Sequence, residues 1–136
     1  MLALGTSLVA NSAFADNPVT PAYSSSPGAA YTLYLDFSGF TFNGTWGNTG
    51  KTPGTLSPFN TDGNATTFST TELSSIREIW TRTAEKYAPF NINITTVDPA
   101  VAAGFSAADT LRQKYYDNTP LVMHSIITPS STTTPF

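Results

Sequence analysis

Three stretches of the chain follow the hydrophobic pattern of β-strands. Residues 31–37 (YTLYLDF) alternate apolar and polar side chains, and a period of two predicts a strand with one apolar face. The same alternation over Ile92 to Val97 predicts a second strand. Leu121 to Thr128 (LVMHSIIT) is nearly all apolar, which predicts a third strand in the middle of a sheet.

The longest helical pattern begins at Ser69. Ser69 and Glu72 have the spacing of a capping box, in which the hydroxyl accepts from a free amide and the carboxylate accepts from the cap. Pro89 ends the pattern because the residue before a proline is disfavoured in the helical region. The sequence therefore predicts a helix from Ser69 to Tyr87. Its apolar side chains recur on one helical stripe: Leu73, Ile76, Trp80, Ala84 and Tyr87.

A second, shorter helix is predicted from Ser106 to Tyr116, with Ser106 as its cap and Asp109 completing the capping box. We expect Leu111 to point inward on this helix, together with Ala108 and Tyr115. Strands that alternate with helices are typical of parallel right-handed crossovers. We therefore predict an α/β fold with a mixed, mostly parallel sheet, one long helix and one short helix.

The ends of the chain have no strand or helix period. Residues 1–15 contain an apolar stretch and then Ala13-Phe14-Ala15, whose small residues suit a signal peptidase, so we expect an export signal with a truncated front. Residues 16–30 carry three prolines and predict a disordered linker. We expect one partial α/β domain over residues 31–128, and an unpatterned tail at a truncation point over residues 129–136.

Composition narrows the classes of function. The chain has 136 residues, enough for one small domain, and only 11% are charged, with Thr, Ser, Asn and Gly supplying the polarity. This balance favours a secreted or surface-exposed protein over a cytosolic one. The net charge of −3 comes with no basic cluster, so we expect no nucleic-acid partner. The apolar stretch near the start is shorter than the roughly 20 residues of a membrane span.

Cysteine and histidine counts restrict the metal chemistry. The chain has no Cys, which excludes disulfides and thiolate zinc sites, and His124 is the only His. His124 lies in an apolar strand, where it is either a hydrogen-bonded core histidine or a catalytic or metal-binding residue. Asp36 interrupts the first strand, and its carboxylate either pairs with an Arg, caps a loop or binds calcium. The sequence has no glycine-rich phosphate loop, GxSxG or HExxH motif.

A calcium site is one of two interpretations for residues 60–64 (NTDGN). Oxygen-bearing side chains at alternate positions around a Gly are typical of the front of an EF-hand loop. The closing Glu is missing, because position 12 is Thr71. Asp62 and Asn64 are therefore calcium candidates, and the other interpretation is a simple turn that leads into the long helix.

Several short motifs, taken in order, resemble the N-terminal half of a known catalytic domain. They are Leu35-Asp36-Phe37, Gly44 to Asn48, Asp62-Gly63, Ser69 to Tyr87, Ala88-Pro89-Phe90 and Ile92 to Val97. Over residues 31–127 this series resembles secreted bacterial zinc metallopeptidases of the metzincin type (reprolysin-like). The resemblance implies a partial metzincin upper subdomain in an exported enzyme that hydrolyses peptide bonds in peptide or protein substrates.

The zinc motif of that family, HExxHxxGxxH, does not occur in this chain. The resemblance therefore assigns no catalytic or zinc-binding residue here, and implies a scaffold portion that is inactive alone and whose zinc ligands lie elsewhere in the parent enzyme. One alternative is a non-catalytic secreted domain that binds carbohydrate or a cell surface through the aromatic and Asn/Thr-rich loop 39–66. Another is a calcium-dependent structural module with Asp36, Asp62 and Asn64 as ligands.

Overall fold

A computed structural model describes residues 17–45 and 50–129; the predicted export signal and all but the first residue of the predicted tail lie outside these ranges. Within these ranges, eight elements follow one another. They are β1 (Tyr31–Asp36), β2 (Phe40–Thr41), β3 (Thr55–Leu56), α1 (Thr70–Tyr87), β4 (Ile92–Thr95), α2 (Pro99–Ala102), α3 (Asp109–Asp117) and β5 (Val122–Ile126).

The main sheet has three parallel strands in the order β4-β1-β5. Leu33 of β1 lies opposite Ile94 of β4 on one side and Met123 of β5 on the other. β2 and β3 form a separate antiparallel hairpin. The predicted α/β fold with a mostly parallel sheet is confirmed. The prediction of two helices is wrong, because the described residues form three: Asp98 caps the short helix α2, which begins at Pro99. The predicted position of the third strand is wrong, because β1 lies between its two neighbours and β5 is at the edge of the described sheet.

β1 has the one apolar face that the alternation predicted, and its opposite, more polar face is buried as well. Leu33, Leu35 and Phe37 join Ile76 of α1 and Ile94 of β4 in the apolar core. On the opposite face, Tyr34 and Asp36 are 4% and 0% exposed. Arg112 of α3 reaches that second face, which explains why polar side chains are buried there.

Helix α1 begins and ends where the sequence predicts. Ser69 is its N-cap, and the reciprocal capping bonds of Ser69 and Glu72 are both present. Ile76 is fully buried in the core. The Trp80 Nε1–H donates to the carbonyl of Ile94 at 2.9 Å, which joins the helix to β4. Because Trp80 both packs on the core and donates this hydrogen bond, it fixes the position of α1 along β4.

Helix α3 differs from its prediction. It starts at Asp109, and its N-cap Ala108 makes no side-chain capping bond. Asp109 does not complete a capping box with Ser106, because its carboxylate accepts from the Thr41 amide and from Arg112. Leu111, predicted to point inward, is 42% exposed, whereas Arg112 is 3% exposed. The buried face of α3 is set by ion pairs and not by the apolar stripe.

Residues 17–30 lie along the outer edge of β4. The prediction of a disordered linker is therefore wrong for this segment. Ser25 donates its amide to the Ile94 carbonyl at 3.0 Å, and Thr96 donates its amide to the Tyr23 carbonyl at 3.0 Å. The Tyr23 and Trp80 rings lie 5.0 Å apart. These long-range hydrogen bonds hold the segment against the sheet. Its sequence has no strand or helix period, so local patterns could not predict that it is ordered. Within the described ranges, no helix is long and apolar enough to cross a membrane.

Candidate functional site

A buried guanidinium lies at the centre of the polar face of the sheet. Arg112 donates from Nη2 to Asp36 at 2.6 Å, from Nε to Asp98 at 2.5 Å and from Nη1 to Asp109 at 2.9 Å. These carboxylates come from β1, the β4–α2 junction and α3. We call Arg112, its three carboxylates and His124 the Arg112 cluster. Removing one partner from such a buried set leaves uncompensated charge, so the cluster strongly constrains these three elements.

Asp36 is the most buried carboxylate of the Arg112 cluster. Its Oδ2 accepts from Arg112 and, at 2.9 Å, from His124 Nε2, while its Oδ1 accepts from the amide and hydroxyl of Ser38. Burial alone would raise the pKa of Asp36, but the hydrogen bond from His124 and the charge of Arg112 outweigh it and hold the pKa below its usual range. Asp36 is therefore an ionised carboxylate that only accepts hydrogen bonds.

Two tyrosines complete the polar face. The Tyr116 hydroxyl donates to Asp98 at 2.7 Å, and the Tyr34 ring lies 5.2 Å from the His124 ring in a stacked arrangement. Burial raises the pKa of Tyr116, and the hydrogen bond to Asp98 raises it further. Burial and then the charge of Asp36 raise the pKa of Tyr34. Both phenols therefore stay neutral at physiological pH.

His124 is held by charge on one side and by rings on the others. Its side chain is 10% exposed, and its Nε2 lies 2.9 Å from Asp36 Oδ2. The Tyr116 and Phe40 rings lie 4.3 Å and 4.7 Å from the imidazole. Of the two interpretations open from sequence, the structure shows a hydrogen-bonded and mostly buried histidine. For Asp36, it shows pairing with an Arg.

A cavity of about 770 Å³ lies beside β5, between the β2–β3 hairpin and α3. His124 contributes to its wall, so the Arg112 cluster contacts this space through the imidazole. Most of the surrounding wall is apolar, and it includes Phe40, Phe42, Leu56, Tyr116 and Ile126. An apolar cavity with a few polar groups is the usual form of a small-molecule site.

The calcium candidates lie in a turn before α1. Asp62 Oδ1 accepts from the Asn64 amide at 2.8 Å, and Asn64 Oδ1 accepts from the amide and hydroxyl of Thr66. Glu72, next to the expected closing position, accepts from Thr61 and Ser69. Each of these carboxylate or amide groups thus bonds a nearby amide, which is the geometry of a stabilised turn.

The donor set of the described residues does not fit zinc. The one His, His124, forms a hydrogen bond with Asp36. The carboxylates of Asp36, Asp98 and Asp109 all accept hydrogen bonds from Arg112. Among residues 17–45 and 50–129, no group of three or more His, Cys, Asp or Glu side chains could hold a metal ion.

The aromatic loop that motivated a carbohydrate-binding interpretation packs against the body of the protein where it is described. Phe40 is 3% exposed, and Phe59 makes an edge contact with Phe37 at 5.8 Å between ring centres. Phe42 is half-buried at the cavity. Sugar stacking needs an exposed ring face, and Phe40 does not offer one.

Sequence reasoning missed Arg112, Asp98 and Tyr116 as members of the site. The sequence pattern assigns no functional role to Asp98 or to Arg112. The available signal was Asp36, a carboxylate in an apolar strand, which requires a cationic partner when buried. Comparison with known proteins finds no matching family model, no matching curated protein and no matching solved structure.

Proposed function

We propose that residues 31–127 are a scaffold portion of an exported zinc-dependent metallopeptidase that hydrolyses peptide bonds in protein substrates. The observation that carries the proposal is the arrangement of the segments that resemble the metzincin type. β1 and β4 are parallel neighbours, and α1, which connects them, packs on the sheet through Ile76 and Trp80. Segments recognised only by their order in sequence thus form one β–α–β unit.

The Arg112 cluster supports a scaffold role for this portion. Arg112 bonds three carboxylates, and Asp36 also bonds His124 and Ser38. A carboxylate that acts as a general base must reach a substrate proton, and Asp36 is 0% exposed with four hydrogen-bond donors around it. The cluster therefore serves to fix α3 on the sheet.

Zinc chemistry in the proposed enzyme belongs to residues outside these 136. When bound, zinc would polarise the scissile carbonyl and activate water. The present chain contributes the sheet and its helices, which would position the segment that holds the metal. We therefore expect the isolated chain to lack peptidase activity.

A peptidase assay with two proteins tests this proposal. The 136-residue chain and the product of its gene with any downstream coding sequence are compared on casein, with and without a zinc chelator. We expect no cleavage by the shorter protein and chelator-sensitive cleavage by the longer one. Chelator-sensitive cleavage by the 136-residue chain, or chelator-insensitive cleavage by the longer protein, would overturn the proposal.

A further inference from the structure

We propose that β5 is the dimerisation edge of the 136-residue chain, where it pairs antiparallel with β5 of a second copy about a twofold axis at His124. The two three-stranded sheets then form one continuous sheet across the axis. This inference concerns an interaction surface, and it does not depend on the proposed peptidase function.

The two edges of the main sheet differ in how they are protected. The outer edge of β4 is covered by residues 17–30, since the Ser25 amide donates to the Ile94 carbonyl at 3.0 Å. Among the described residues, no strand pairs with the outer edge of β5. A sheet with one free edge can extend only once, which favours a closed pair of two copies over an open stack.

The backbone of β5 leaves hydrogen-bonding groups unpaired at this edge. Two bonds show which residues face β1, because the Leu121 carbonyl accepts from β1 and the Ile127 amide donates to β1. Successive residues of a strand alternate, so Val122, His124 and Ile126 direct their backbone groups away from β1. The Val122 amide is used in a turn. Within the described ranges, the Val122 carbonyl and both backbone groups of His124 and Ile126 have no hydrogen-bond partner.

A twofold axis at His124 pairs these groups with the same groups of a second copy. At the axis, the His124 amide of each copy donates to the His124 carbonyl of the other. On either side of the axis, the Ile126 amide of one copy donates to the Val122 carbonyl of the other. His124 is the central residue of Val122–Ile126, so this register gives every unpaired amide of the strand an acceptor.

The side chains of β5 are complementary to themselves in this register. On one face, Val122 lies opposite Ile126 of the second copy. On the other face, Leu121 lies opposite Ile127, so apolar side chains meet across the axis on both faces. Leu121 and Met123 are 50% and 64% exposed in the single chain, and the pairing shields them. β5 contains no Lys, Arg, Asp, Glu or Pro, the residues that usually protect a free edge.

The size of the contact predicts a weak dimer. The cavity of about 770 Å³ beside β5 reaches Met123 and Ser125, so there is space for a second chain at this edge. A standard interface buries about 800 Å² on each partner, and a strand of five residues presents a smaller surface. We therefore expect a dissociation constant of about 10–100 µM.

Analytical ultracentrifugation of the 136-residue chain tests the dimer. Between about 10 µM and about 1 mM protein, we expect a reversible equilibrium of monomer and dimer. Met123→Lys places a charge on the edge and should weaken the dimer by about tenfold or more. Val101→Lys is the matched control, because Val101 is 46% exposed on α2, and it should leave the dissociation constant unchanged.

Two outcomes of this experiment would overturn the proposal. One is a chain that stays monomeric at about 1 mM, which would leave the edge of β5 to a strand of a different protein. The other is an equal dissociation constant for Met123→Lys and Val101→Lys, which would place the contact between copies away from β5.

Cross-linking tests the register, because the chain has no native Cys. Residue 123 of one copy lies opposite residue 125 of the other, in a non-hydrogen-bonded pair with Cα atoms about 4.5 Å apart, which a disulfide can span. Two copies of residue 123, or of residue 125, lie about 8 Å apart, which is too far.

Oxidation of an equimolar mixture of Met123→Cys and Ser125→Cys should therefore give a cross-linked heterodimer. Each variant oxidised alone is the matched control and should give little cross-linked product. No cross-link in the mixture, or an equally strong one in either variant alone, would overturn the proposed pairing about His124.

Discussion

Arg112 of α3 and Asp36 of β1 are 76 residues apart in sequence and form a buried ion pair at 2.6 Å. Their side chains are 4% and 0% exposed. This contact joins a helix late in the chain to the central strand. Because Asp36 also accepts from His124 of β5, one carboxylate links three elements of the fold.

Arg112→Met should therefore destabilise the protein strongly. The substitution keeps most of the side-chain volume but leaves Asp36 and its neighbouring carboxylates without a cation, and we expect a loss of about 3–5 kcal/mol in the free energy of unfolding. Arg82→Met is the matched control, because the Arg82–Glu78 pair is 73% and 60% exposed. We expect a change within about 0.5 kcal/mol there. Urea unfolding measures both, and equal losses would contradict the assigned role of Arg112.

Gly39 should tolerate no side chain. Its φ is +81°, and an added Cβ would lie 2.8 Å from the Leu56 carbonyl oxygen and the Pro58 nitrogen, both backbone atoms. We expect Gly39→Ala to cost about 2–4 kcal/mol through backbone strain and overpacking.

Gly63→Ala is the control for backbone strain alone. Gly63 has a φ of +88°, and an added Cβ would meet nothing within 4 Å. We expect a cost of about 1–2 kcal/mol. The melting temperature of Gly39→Ala should therefore lie well below that of Gly63→Ala. The reverse order would rule out the close approach of β3 to Gly39.

Acid should destabilise the protein through two carboxylates. Hydrogen bonds from the Ser69 and Thr61 amides lower the pKa of Glu72, and the pKa of Asp36 is also held below its usual range. A group with a lowered pKa in the folded state stabilises the protein above its unfolded pKa, about 4, and that stabilisation is lost as the pH falls through the folded value.

Unfolding measured between neutral and strongly acidic pH should show this loss only below about pH 4. Glu72→Gln removes one of the two titrating groups, so its stability should depend less steeply on pH in that range than that of the wild type. Identical pH dependence in the two proteins would exclude Glu72 as a contributor.

Calcium should not change the stability of the protein. Asp62 Oδ1 and Asn64 Oδ1 accept hydrogen bonds from the backbone of their own turn, and Glu72 caps α1. Binding a cation would require these bonds to break. We expect the same melting temperature in calcium and in a calcium chelator. A rise of several degrees in calcium would contradict this and would indicate that Asp62 and Asn64 bind calcium.

Local sequence signals were sufficient to predict much of the fold. The start of α1 follows from Ser69 and Glu72, and its end follows from Pro89, because capping and proline geometry act within a few residues. The position of β5 could not be predicted in the same way. An apolar strand is consistent with both a central and an edge position, and only the pairing of β1 with both neighbours decides between them.

The candidate site was mostly beyond sequence reasoning. Asp36 was identified as a carboxylate that needs a partner, but its partners Arg112 and His124 are 76 and 88 residues away. In α3 the apolar stripe favoured Leu111 as the inward residue. The structure buries Arg112 instead, because three carboxylates stabilise its charge. Long-range electrostatics of this kind has no local signature.

The most direct test of the proposed peptidase scaffold is to read the coding DNA beyond the codon for Phe136. The proposal predicts an in-frame HExxHxxGxxH motif within about 100 further residues, the remaining length of a usual domain. Such a motif would supply the zinc ligands and the general base that this chain lacks. A stop codon directly after Phe136, or a long open frame without the motif, would contradict the proposal.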